Sequence, residues 1–175
     1  MARVDAVPAS RPQVPEGLSE PFRSALEAAT EAWNSRFGEQ LISLVLFGSV
    51  ARGAARPSSD IDLLLIAEGL PRSLRDRRRP FLEEWERARF AAGLPSVTWN
   101  LVTKSPEEAR THSPLYLDLV EDGMVLLDRG GFFASVLAEL RARMHALGSR
   151  RVFLADGSWY WDLKPDFRFG EVVEL

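Results

Sequence analysis

LISLVLFGSVARGAARPSSDIDLLL, residues Leu41 to Leu65, is two apolar runs joined by a small polar turn. The run Leu41 to Phe47 predicts a buried strand, Gly48-Ser49 ends it, and a second strand is expected from Asp60 to about Ala67. Side chains alternate across a strand, so Asp60 and Asp62 are expected on one face, able to share a cation. Two like charges on an otherwise apolar element are costly unless something positive neutralises them. A hard divalent ion, Mg2+ or in its place Mn2+, suits carboxylate oxygen.

The turn between the strands supplies a place for phosphate. Gly48 has no side chain to collide with an approaching ligand, and Ser49 offers a hydroxyl. Val50-Ala51-Arg52 can open a short helix, and Arg52 and Arg56 add positive charge. A phosphate cradle ahead of a metal-binding carboxylate pair suits phosphoryl or nucleotidyl transfer.

Gly48-Ser49-Val50-Ala51-Arg52-Gly53, followed by Ser59-Asp60-Ile61-Asp62-Leu63, resembles the signature of the polymerase-beta-like nucleotidyltransferase superfamily, and within it the minimal nucleotidyltransferase branch. The segment from Tyr116 to Phe133 is also similar to that branch. The resemblance implies catalysis and metal binding by Asp60 and Asp62, and nucleotide binding by Gly48, Ser49, Arg52 and Ser59. It also implies an NTP substrate, ATP first, and a third carboxylate on the following strand. That strand is expected at Ser96 to Thr103, SVTWNLVT, which contains no Asp or Glu. Register favours Asn100 at the third position, with Thr98 as the alternative. Asn offers an oxygen to a metal but no negative charge and no basic site. A partner or another acidic residue, for example Glu107 or Glu121, would have to reach the site to replace it.

The whole chain sets the frame. Its 175 residues suit one domain with a sizeable core. Net charge is −3, so bulk electrostatics do not mark a nucleic-acid binder, although local basic clusters leave that partner open. Without cysteine there is no disulfide framework, thiolate metal site or Cys nucleophile. No apolar run approaches the ~20 residues needed to cross a bilayer, and no signal-peptide pattern opens the chain, so a cytoplasmic protein without a membrane partner is expected.

Around the central stretch, residues 1–18 contain Pro8, Pro12 and Pro15 and predict a loose arm. Ser19 is a candidate N-cap for a helix bearing Phe22, Leu26, Ala29, Trp33 and Phe37, which Gly38 stops. Arg72 to Arg79 is arginine-rich and is expected to be interrupted by Pro80 before a helix carrying Phe81, Trp85 and Ala88. Its arginines read as a solvated face, or else as a basic rim for triphosphate or nucleic acid. Ser105 to Glu108 has capping-box spacing, and a short helix follows Ser113-Pro114. His112 and His145 are isolated and give no metal spacing. Met124 to Leu127 predicts a strand, and Phe132 to Leu147 an amphipathic helix closed by Gly148. The tail, residues 151–175, concentrates Trp159, Tyr160, Trp161, Phe167 and Phe169. It reads as an arm strapped over the body, with a docking tail or a base-stacking platform as alternatives.

The fold expected is α/β: a nucleotidyltransferase-type mixed, twisted sheet of about four strands, with flanking helices mainly on one face over 19–150. The function expected is Mg2+-dependent transfer of NMP from an NTP to a hydroxyl acceptor, possessed by a partner protein, an RNA end or a small molecule. The alternative is an antitoxin-type or regulatory nucleotide-binding subunit that pairs with a small all-helical HEPN-like protein, with weak or no catalysis. A homo-oligomer is a further partner state, and a degenerate fold with structural aspartates is the plainest reading.

Overall fold

The computed structural model describes residues 12–172. The first eleven residues of the expected N-terminal arm and the last three of the tail lie outside the described residues. Within 12–18, the Gln13 amide donates to the Leu126 carbonyl at 2.7 Å, and Val14 and Leu18 lie against the core.

Four strands make one sheet: β1 (Leu41–Phe47), β2 (Ile61–Ala67), β3 (Trp99–Lys104) and β4 (Met124–Asp128), in spatial order β3-β2-β1-β4. β1 is antiparallel to β2 and β4, while β2 and β3 are parallel, so the sheet is mixed as expected. A parallel neighbour requires a crossover. Helix α3 (Leu74–Ala92) provides it between β2 and β3.

The central strands are apolar on both sides because both sides are covered. Leu44, Leu46, Leu63 and Leu65 face α1 (Phe22–Phe37) and α3, where Leu26, Trp33, Phe81 and Trp85 are buried. Val45, Leu64 and Ile66 face α5 (Pro114–Asp122) and α6 (Phe132–Leu147), through Tyr116, Leu119, Phe133 and Leu137. Helices therefore cover both faces rather than mainly one. Burial of continuous apolar runs in β1 and β2 demands a cover on each side.

Further corrections follow from packing. α1 begins at Phe22, with Pro21 rather than Ser19 at its N-cap. β2 begins one residue after Asp60, and β3 begins at Trp99 rather than Ser96. α3 runs through Pro80 as one helix. Proline there removes one backbone hydrogen bond, but Phe81 and Trp85 on the same helix are buried at 2% and 1% exposure, which offsets that loss. Arg77 is not on a solvated face. It is buried, donating from Nε to the Pro71 carbonyl and pairing through both terminal nitrogens with Glu108 at 2.6 and 3.0 Å.

The capping box on α4 (Pro106–Ala109) forms as read, with Ser105 and Glu108 bonded reciprocally. Near the C-terminus, β5 (Arg150–Phe153) and β6 (Trp159–Asp162) pair antiparallel as a separate hairpin. Trp161 and Leu163 lie against the α5/α6 core, while Phe167 and Phe169 are exposed.

Candidate functional site

The site is built where β1 ends and β2 begins, because antiparallel pairing sets the end of one strand beside the start of the other. Phe47 and Asp62 are register partners. Gly48 follows with φ +72°, a conformation that favours glycine, and starts the short helix α2 (Gly48–Ala51). The bend is closed by amides of Arg52 and Ala54, which donate to the carbonyls of Gly48 and Ser49 at 3.2 and 2.9 Å.

The bend and the acid touch. A Cβ added at Gly48 would lie 2.0 Å from Asp62 Oδ2. Glycine is thus required twice over, by its backbone angle and by the carboxylate packed against it. Asp62 shares its face of β2 with Leu64 and Ile66, the α5/α6 side, and is half-buried at the uncovered end of that face. Asp60 stands just before β2 and is exposed.

Asn100 is the register partner of Asp62 across the parallel pair, and its Nδ2 donates to Asp62 Oδ1 at 2.8 Å. The amide is thereby oriented with its donor toward the acid. Among the described residues, no group of three or more Asp, Glu, His or Cys gathers as a metal cluster, so neither Glu107 nor Glu121 completes a triad. A pair of carboxylates still fits Mg2+, which is commonly held by one or two carboxylates together with substrate phosphate oxygens and water.

Ser59 has a different local task. The Arg56 amide donates to its Oγ at 2.9 Å, and its own amide donates to the Arg56 carbonyl, closing a turn that delivers the chain into Asp60. Arg52 is exposed and lies over the Trp159 ring, its guanidinium carbon 4.9 Å from the centroid. Sequence reading did not connect these two residues. The cluster of aromatics in the tail suggested an arm strapped over the body, but nothing local identified the surface it would meet.

A cavity of about 500 Å³ lies on this same side, lined by His112, Pro114, Leu117, Leu140, Trp159 and Trp161 among others. His112 is a loop residue there, between α4 and α5. No described helix is long and apolar enough to cross a membrane.

A Methanocaldococcus jannaschii protein named "Putative protein adenylyltransferase MJ1305" is 29% identical over 120 residues, covering 69% of this chain and 81% of the relative. A crystal structure of a toxin-antitoxin with AMP-PNP is similar at a TM-score of 0.42 and 18% identity, covering 66% of this chain and 86% of the other. A tri-AMPylated Shewanella oneidensis HEPN toxin in complex with MNT antitoxin gives 0.35 and 17%, covering 63% and 79%. The sequence profile of the nucleotidyltransferase domain matches residues 26–124, from α1 to the start of β4. Because that match spans more than half of the chain and includes both the glycine bend and the strand packed against it, the protein belongs to the nucleotidyltransferase domain family.

Proposed function

We propose that this protein transfers AMP from ATP to a hydroxyl group on a partner protein. The observation that carries the reading is the contact of the Asp62 carboxylate with the Gly48 bend, which brings an acid to the wall of an open backbone turn. In this reading Gly48, Ser49 and Arg52 hold the triphosphate, and Ser59 shapes the turn before the acids. Asp60 and Asp62 would hold Mg2+, or Mn2+ in its place. When bound, that ion neutralises charge on the triphosphate oxygens.

The transfer forms a bond between the acceptor oxygen and the α-phosphorus, and breaks the bond from that phosphorus to the bridging oxygen. Pyrophosphate leaves, and the acceptor proton passes to solvent. Asn100 cannot take that proton, but its amide fixes the orientation of Asp62. The acceptor class is taken from the name of the M. jannaschii relative.

The test is transfer of label from α-labelled ATP, with Mg2+ present, to a small helical HEPN-like partner. Asp62→Asn is expected to lower the rate by at least about 100-fold. Equal labelling by that variant would overturn the assigned roles.

Asn100 in place of a carboxylate favours a second reading: a regulatory subunit that docks on such a partner and transfers slowly or not at all. Stable co-purification without labelled product would support it. A MgATP-dependent rise in melting temperature that Asp60→Ala abolishes would exclude a fold with purely structural aspartates.

A further inference from the structure

We propose that Trp159 is a positioning residue of the nucleotide site, holding the Arg52 guanidinium in place for the triphosphate. This rests on the nucleotide reading above and extends the site into the C-terminal hairpin, outside the region matched by the family profile.

The structure places the two residues in a stack. Arg52 lies 4.9 Å from the Trp159 centroid, and Arg151 lies 5.1 Å from the centroids of both Trp159 and Trp161. Cations and indoles therefore alternate from the bend into the hairpin. The far end is anchored on α5. Asp118 Oδ1 accepts from Trp159 Nε1 at 3.1 Å, from Trp161 Nε1 at 2.9 Å and from Arg151 at 3.4 Å, and Asp122 accepts from Arg151 at 2.8 Å. α5 packs on the same sheet face that carries Asp62, so the hairpin approaches the site from the correct side.

The physical benefit is pre-organisation. A long exposed arginine loses rotamer freedom when it binds phosphate, and that loss weakens the complex. Resting on an indole face, Arg52 has surrendered much of that freedom beforehand. The contact leaves its charge available, since among the described residues no carboxylate is paired with Arg52. An aromatic face attracts a guanidinium without competing for the anion it must bind.

The experiment measures equilibrium affinity for MgATP and for magnesium tripolyphosphate by calorimetry, in the full chain and its variants. Trp159→Ala is expected to weaken both ligands by about 3- to 10-fold, whereas Trp159→Phe, which keeps a ring, stays within about twofold. In an Arg52→Ala background, Trp159→Ala is expected to add nothing. If Trp159→Ala does not fold, Trp159→Leu, which keeps apolar bulk without a π face, carries the same expectation.

Unchanged or tighter binding by the ring-less variants would overturn the proposal, the latter by showing that the ring sequesters Arg52. Loss of MgATP affinity with tripolyphosphate unaffected would also overturn it, by making Trp159 a base-stacking platform. So would an equal loss with and without Arg52. If the unaltered protein binds neither ligand, the nucleotide reading itself fails, which separates that outcome from failure of the Trp159 role alone.

Discussion

At the scale of single residues, Gly48 and Asn100 make the sharpest claims. Gly48→Ala forces a side chain into left-handed backbone and into Asp62 Oδ2. A loss of about 1–3 kcal/mol in denaturant unfolding is expected, together with loss of MgATP affinity, because relieving the clash moves the carboxylate. A variant that retained full affinity would show that the bend and acid are independent. Asn100→Asp replaces a donated hydrogen bond by two facing carboxylates. The variant is expected to melt below the unaltered protein without metal, through like-charge repulsion, and to regain the difference with Mg2+ or Mn2+. A melting temperature indifferent to metal would argue against cation binding between these strands. Asp62 was legible in sequence from alternation along β2, whereas Asn100 was one of two candidates, with Thr98, until the parallel β2–β3 register set it opposite Asp62. The Trp159 contact with Arg52 was not legible, because residues 107 positions apart carry no shared local pattern.

At the scale of elements, Arg77 and Glu108 tie α3 to α4. The Arg77 guanidinium beside Glu108, with the Ser105 amide, holds its carboxyl at about 2, below its ordinary 4.5. A lowered folded value means the contribution to stability is complete above about pH 4.5 and is lost as pH falls toward 2. The stability difference between the protein and Glu108→Gln is therefore expected to be constant above pH 5 and to shrink below it; about half of the Glu108 side chain is exposed, so solvent screening keeps the effect modest. Glu108→Ala leaves buried Arg77 without its acid and is expected to cost about 1–3 kcal/mol. Asp128 serves β4 and α6 together: it accepts from Ser43 Oγ at 2.6 Å and from the amides of Phe133 and Ala134 at 2.9 Å. Asp128→Ala strands a buried hydroxyl and uncaps α6, with an expected loss of about 2–4 kcal/mol by denaturant unfolding. The Ser105 capping box was readable because its partners are three residues apart. Arg77 looked solvent-facing in sequence because its partner lies 31 residues away.

At the scale of the molecule, two helical layers enclose a central sheet and leave one end of it open, where β1 finishes and β2 starts. Trp33 closes one layer: it is fully buried, donates from Nε1 to the Phe81 carbonyl at 2.8 Å and meets Phe81 and Trp99 edge-on. Trp33→Ala is expected to cost about 3–5 kcal/mol, a large share of a stability near 5–15 kcal/mol, and to appear as a marked fall in the denaturation midpoint. The sequence by itself determined the strands β1 and β2, the bend between them and the Asp60-Ile61-Asp62 spacing, because period, glycine chemistry and charge act over a few residues; that β3 lacks a third carboxylate has meaning only through the family resemblance. Only the tertiary structure decided which helices cover each face, that α3 continues through Pro80, that Arg77 is buried and that the C-terminal hairpin reaches Arg52. Each of those outcomes is settled by burial and pairing between segments far apart in the chain, where the free energy of packing overrides local preference.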